Sequence, residues 1–346
     1  MREHVDQLFV ETEARNDPVV GRVIQRFPSA EVSYCDPADR STVVEAFRRA
    51  PRRGLFLKRH RGAFLKPFPR HPWYDRGGGV YYSLILGYNC FGSCHYCFIQ
   101  SIFPDAVPTL YVNAERMLDE LRRFLRNDPR AWISTGEYID SFQLDETTRY
   151  TEAIMDVMRE FPESTLELRT KSGRVDHLPA DPPVRARVAY SVSPEAVVAG
   201  MEPGTASLDR RLAKAKLLHE KGYAVDIRID PVIPTTSFVG AYADLPADIE
   251  RQLSWSRVSR AFLGALRFDE GLLRKLAAST AARRLLDAEY VRCPDGKYRA
   301  SRHDRTAVYR RLVDGIRAYR PDIDITIMME PAYIRRAVLS DPRVVR

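Results

Sequence analysis

The sequence predicts an α/β protein built around a partial barrel of βα repeats. Three observations carry this. Short runs rich in β-branched and aromatic residues alternate with segments of helical period from residue 80 to residue 268. About six such repeats fit there, fewer than the eight of a closed barrel. A loop holding Cys90, Cys94 and Cys97 directly follows the first of these strands.

Residues 1–50 carry a weak signal, read as a short strand or turn over 18–27 and a helix over 41–49. From Arg52 to Trp73, basic residues alternate with Leu55, Phe56, Leu57, Phe64, Leu65 and Phe68. Gly77, Gly78 and Gly79 then mark a hinge. This divides the chain into an N-terminal basic segment (1–79), the barrel (80–268) and a C-terminal closing segment (269–346). Within the barrel, 80–86 is a strand, 115–126 a helix with Asn113 as its cap, and 131–134 a strand running into Thr135, Gly136 and Glu137. A helix stopped by Pro162 follows, then strands over 165–169 and 184–192. The next elements are a helix over 207–221 stopped by Gly222, a strand over 223–229, a helix over 242–255 and a strand within 258–268. Helices over 271–288 and 304–319 and a strand over 323–329 close the open side.

Composition narrows the class. The 346 residues are 45% hydrophobic and 29% charged, with prolines scattered rather than clustered, so the chain has material for a packed core. No run approaches the roughly 18 apolar residues of a membrane helix, and Arg2, Glu3, His4 and Asp6 stand where a signal peptide needs an apolar stretch. A cytoplasmic protein with no membrane partner is the expectation. Five cysteines, three of them within eight positions, are not spaced as a disulfide framework. The net charge of +8 is uneven. Residues 51–80 hold eight basic residues against one acid, and 291–346 hold thirteen against seven. Two flanking segments therefore carry all of the net positive charge, as a polyanion-binding surface would. Arg59 and Arg61 in the first, and Arg299, Arg302 and Arg305 in the second, are the candidate substrate contacts; a solvated arginine-rich surface is the competing account.

The cysteines form C-F-G-S-C-H-Y-C. Three thiolates at this spacing can hold three irons of a cubane cluster and leave the fourth open to a small bidentate ligand. A zinc site would need a fourth ligand, from His95 or a distant residue. Buried thiols without metal are the third reading.

This motif, on the loop after the first strand of a βα array, resembles that of radical S-adenosylmethionine enzymes. The likeness is closest to the spore photoproduct lyase family, whose enzymes revert a thymine dimer of spore DNA. It rests on residues 88–100 with Tyr111, Val112 and Asn113; on Thr170 and Lys171 with Val175, Asp176, His177 and Leu178; and on Glu202, Pro203, Gly204 and Thr205 leading into the next helix. The resemblance implies a partial (β/α)6 TIM-like barrel of the radical SAM type, a [4Fe-4S] cluster and S-adenosyl-L-methionine. It also implies cleavage of S-adenosylmethionine to a 5′-deoxyadenosyl radical. Cys90, Cys94 and Cys97 would hold the cluster. Gly136 and Glu137 would meet the methionine amino group, Lys171 its carboxylate, Ser191 and Ser193 the ribose, and Tyr96 and Phe98 would flank the cofactor. Tyr96 and Glu137 are the candidate catalytic residues. The implied partners are DNA or a nucleotide and an external electron donor such as flavodoxin or ferredoxin.

Two positions depart from the family pattern. Its lyases carry a hydrogen-donating cysteine at the end of the second strand, where this chain places Glu137 or an immediate neighbour, with no cysteine between Cys97 and Cys293. They also carry tyrosine where this chain has Phe98. A free nucleoside, nucleotide or other small metabolite is therefore the alternative substrate class, and a zinc-containing nucleic-acid-binding protein is the non-enzyme alternative.

Overall fold

A computed structural model describes residues 4–36, 40–49, 54–68, 81–103 and 105–339. They fall into two compact units. One holds the described residues up to 68 together with 81–93 and 102–187, the other 94–101 together with 188–339.

The first unit contains a parallel sheet in the region of weak signal. Strand β1 (Gln7–Glu11) lies between β2 (Glu31–Cys35) and β3 (Gly54–Lys58), paired in parallel with both. Phe9 and Phe56 pack with Val43, Phe47 and Val107 into a small core. Residues 18–27 are not a strand but the helix Pro18–Arg26, because proline occupies its first turn and Val19, Val20 and Val23 share a buried face. Four more short strands follow: β4 (Leu65–Pro67), β5 (Tyr81–Leu84), β6 (Gly87–Tyr88) and β7 (Thr109–Tyr111). Then come β8 (Trp132–Thr135) and β9 (Thr165–Thr170). β5, β8 and β9 pair in parallel, with β4 antiparallel on the edge. β7 joins β3 in parallel and β6 in antiparallel. The helix Ala114–Asn127 buries Met117, Leu121 and Leu125. Asn113 does not cap it: its side chain accepts from His60 N at 2.8 Å and donates to His60 O at 3.0 Å, bracing the chain after β3.

The second unit continues the βα alternation with β10 (Arg185–Ser191, from residue 188 on), β11 (Ala224–Val232) and β12 (Val258–Ala265). The helix Leu208–Glu220 starts at Ser207, whose hydroxyl accepts from Arg210 N at 3.3 Å, and ends before Gly222 at φ +89°. β13 (Arg267–Phe268), β14 (Tyr290–Arg292) and β15 (Tyr298–Ala300) form an antiparallel sheet that no periodicity announced, since strands of two or three residues show no period. The helix expected over 271–288 runs only Glu270–Ala278, and the one expected over 242–255 only Leu245–Gln252. The long helix Arg302–Tyr319 and β16 (Asp324–Ile327), which pairs with β12, stand where the sequence put them.

With their helices, β5, β8 and β9 of the first unit and β10, β11 and β12 of the second make up the expected α/β alternation, with extensions at both ends of the chain. Gly77, Gly78, Gly79 and the boundary drawn there lie outside the described residues. So do Arg52, Arg53, Arg70 and Arg76. Among the described residues no helix is long and apolar enough to cross a membrane.

Candidate active site

In α/β barrels, ligands bind at the carboxyl ends of the strands. In the first unit, these ends bring Gly136, Glu137 and Lys171 together. Gly136 has φ +91°, and a Cβ there would stand 2.5 Å from Arg169 O and 2.7 Å from Arg169 Cβ, so glycine lets β8 leave its sheet hard against β9. Glu137, expected to accept an ammonium, is held by the Arg169 guanidinium. Arg169 also donates to Glu167 at 2.5 Å and to the Tyr81 hydroxyl, while Tyr81 donates to Glu167 at 3.0 Å. Asp140 shapes the turn after β8. It accepts from Lys171 N at 2.8 Å, Thr170 Oγ1 at 2.9 Å and Phe142 N at 3.0 Å. Desolvation raises its carboxyl above the ordinary value, opposed by those donors. Farther along, His177 Nε2 lies 2.8 Å from Asp145 Oδ2, and Asp145 Oδ1 accepts from Thr151 N at 2.9 Å.

In the second unit, Tyr96 is buried and donates to Glu202. Glu202 also accepts from Ser193 at 2.9 Å and from Arg211 at 2.5 Å, with neither Glu202 nor Arg211 exposed. Arg211 donates as well to Ser191 O at 3.0 Å and Thr205 Oγ1 at 2.6 Å. Ser191 and Ser193 are thus part of an internal lattice that fixes Tyr96. Burial, and then the Glu202 charge, push the Tyr96 phenol well above its ordinary value. Phe98, two residues on, is 47% exposed. The loop is tied down by His95 N to Met201 O at 3.0 Å, Lys275 to Gln100 O at 2.5 Å, and Ser101 to Asp269 at 2.8 Å.

The cysteines require a correction. Among the described residues, no group of three or more His, Cys, Asp or Glu side chains is gathered so that it could hold a metal ion. Cys94 is buried whereas Cys90 and Cys97 are half-buried, and Cys90 belongs to the first unit while the other two belong to the second. Among the described residues, the close spacing in sequence does not become a metal-holding group. The expected [4Fe-4S] cluster and the iron-sulfur assignment do not fit this arrangement.

The basic candidates are corrected in part. Arg299 and Arg305 are buried, not surface contacts. Arg299 makes a bidentate pair with Asp295 at 2.7 and 2.8 Å, and Arg305 a bidentate pair with Glu330 at 2.8 and 3.2 Å. Arg302 lies over the Tyr333 ring at 4.8 Å. Arg61 reaches buried Glu11 at 2.7 Å and Glu13 at 2.9 Å, and Arg59 reaches Asp17 at 3.3 Å, so β1 and the residues after it supply local countercharge. Arg59 also lines a cleft of about 590 Å³, walled by five arginines and three acids.

Sequence reasoning missed Arg169, Glu167, Tyr81, Arg211 and Asp140. Two of them left a signal. Arg211 interrupts the apolar stripe of Leu208, Leu212, Ala215 and Leu218, and an arginine in such a stripe needs a buried partner. Glu167 and Arg169 sit two apart in a strand whose other face is Leu166 and Leu168, so their opposite charges share a side.

Fold and topology together define an α/β protein of the partial-barrel class. Comparison with known proteins narrows this. The family model described as "Spore photoproduct lyase" matches residues 77–311, about two thirds of the chain, and the chain belongs to that family. Spore photoproduct lyase of Bacillus subtilis (strain 168) is 24% identical over 194 residues, 52% of this chain and 56% of that protein. The enzyme of Geobacillus sp. (strain Y412MC61) is 28% identical over 178 residues, 50% of this chain and 52% of that one. The matches thus span about half the length of these curated relatives. A solved spore photoproduct lyase complexed with dinucleoside spore photoproduct is similar with TM-score 0.78 at 19% identity, over 95% of this chain and 100% of that one. A doubly substituted spore photoproduct lyase with bound AdoMet and dinucleoside spore photoproduct gives 0.76 at 19% identity, over 94% and 99%.

Proposed function

We propose that this chain is a lyase of the radical S-adenosylmethionine type that acts on a thymine-dimer lesion, in DNA or in a DNA-derived dinucleotide. One observation carries the reading: the family match over residues 77–311. The fold shared with lyases that hold dinucleoside spore photoproduct agrees with it. The chain's own contribution is positional. Gly136 lets the backbone approach closely, Asp140 fixes the turn carrying Ser141 and Phe142, and the Arg211 lattice holds Tyr96 in place. At or beside the position of the family's hydrogen-donating cysteine stands Glu137, paired with Arg169. Whether Glu137 or an immediate neighbour takes that place, no cysteine lies between Cys97 and Cys293, so hydrogen returns to the substrate from a group other than a thiol at this strand end. DNA or a nucleotide as substrate, a one-electron donor such as flavodoxin or ferredoxin, and a cytoplasmic location complete the reading.

The test is anaerobic incubation with dinucleoside and dinucleotide spore photoproduct, S-adenosylmethionine and a low-potential reductant, beside a known lyase of the family. Conversion of the lesion to its two thymine residues is expected. No conversion where the control converts would overturn the proposal.

A further inference from the structure

Five arginines are buried among the described residues, and four of them close tightly on carboxylates. Those four are Arg169, Arg211, Arg299 and Arg305. Arg228 differs. Its side chain is 4% exposed, yet its nearest carboxylate, Asp230, is 3.9 Å away, beyond hydrogen-bond reach. One nitrogen meets only the Met328 sulfur, at 3.0 Å, and the guanidinium lies over the Phe262 ring at 4.9 Å. The other terminal nitrogen is buried with no partner.

Among the described residues, two carboxylates are paired with the arginines around Arg228. Asp226, Arg228 and Asp230 alternate along one face of β11, opposite Arg260 and Phe262 of β12. Arg260 reaches Asp226 at 3.5 Å, and Arg267 reaches Asp230 at 3.3 Å. Among the described residues, three guanidinium groups thus share these two carboxylates. The neighbouring Arg305–Glu330 pair is neutral in itself. Gly264 keeps the arrangement possible, since a Cβ there would stand 2.7 Å from Asp230 Oδ1. The row opens at the carboxyl ends of β11 and β12, where the Asp230 and Arg267 side chains are 18% and 22% exposed.

A buried cation with an unbonded N–H group and no carboxylate within hydrogen-bond reach is satisfied by an oxyanion, which accepts charge-assisted bonds. We propose that Arg228 and Arg267 form an oxyanion site for the phosphodiester of the substrate. This rests on the lesion-processing reading: a thymine dimer in DNA or in a dinucleotide carries one singly charged phosphate between its nucleosides, and a dinucleoside carries none.

Calorimetric titration of the full-length protein with dinucleotide and with dinucleoside spore photoproduct tests the site. The wild type should prefer the dinucleotide by roughly 10- to 100-fold, the worth of one or two charge-assisted bonds. Arg228→Gln and Arg267→Gln should each lose most of that preference and bind the dinucleoside as the wild type does. Should Arg228→Gln fail to fold, Arg267→Gln, at a partly exposed position, carries the test. Equal affinity of the wild type for both forms, or a preference unchanged in the variants, overturns the site. If neither form binds, thermal protection by inorganic phosphate separates the two proposals. Protection abolished by both substitutions supports the oxyanion site and tells against the lesion reading. No protection, or protection retained in both variants as for an adventitious ion only, overturns the site.

Discussion

Each unit carries a buried network of one arginine, one tyrosine and glutamate, and the two differ in charge and closure. In the second unit, Arg211 and Glu202 form a one-to-one pair with no exposure on either side chain, completed by Tyr96 and Ser193. In the first, Arg169 is shared by Glu137 and Glu167, and Glu137 keeps 12% of its side chain exposed. Among the described residues, the first network thus sets two carboxylates against one guanidinium, and one of those carboxylates can be reached by water. The second is balanced and shut. The two-to-one ratio in the first marks Glu137 as the partner that can be given up, whereas every group around Glu202 is needed to cover a buried charge.

The largest effect expected is that of Arg211→Ala. It leaves the buried Glu202 charge to the neutral donors Tyr96 and Ser193 and should cost about 3–5 kcal/mol, read as a fall in the urea midpoint at constant slope. A loss under about 1 kcal/mol would mean that water enters the pocket and that the closure described for it is wrong. The glutamates break the comparison more finely. Glu202→Gln leaves Arg211 without a countercharge and should destabilise by several kcal/mol, while Glu137→Gln leaves Arg169 balanced on Glu167 and should stay within about 1 kcal/mol. Equal losses in the two variants would erase the distinction.

A third pair sharpens it at the small end. Arg299 is buried while Asp295 is partly exposed, and the Arg299 hydrogen bonds lower the Asp295 carboxyl to about 2. Because the folded value lies below the ordinary Asp value of about 3.9, the stability that this pair contributes is intact above that value. It is lost as pH falls through about 2. Denaturation midpoints of the wild type and Asp295→Asn should therefore converge over that window and stay apart at neutral pH. Curves that remain parallel to pH 2 would count against the pairing.

The parts of the fold with long, regular patterns were legible. Leu166 and Leu168 alternating with charged neighbours marked β9, and Leu208, Leu212, Ala215 and Leu218 before Gly222 marked the helix on β11. Tertiary context decided the rest. Val19 and Val20 favour strands in isolation, but Pro18 opens a helix in which Val19, Val20 and Val23 are buried. Asn113 looked like a cap and serves as a brace for His60. At the site, Gly136 and Glu137 were located correctly at the end of β8, yet the partner of Glu137 is Arg169, 32 residues away on a separate strand. The charge excess in the tail was legible as a number. That Arg299 and Arg305 spend it on Asp295 and Glu330 was not, because burial is not written in a charge count.

The anchors of the cysteine loop also set an order of events during synthesis. Tyr96, Gln100 and Ser101 are fastened to Glu202, Lys275 and Asp269, the last two well over a hundred residues downstream. At about 5–20 residues per second, the ribosome needs roughly ten to thirty seconds to deliver Lys275 after Gln100. For that interval, Cys94 and Cys97 belong to a nascent segment whose fasteners have not yet been made. The thiols of this loop are then open to oxidants and to binding partners that the finished chain excludes at Cys94.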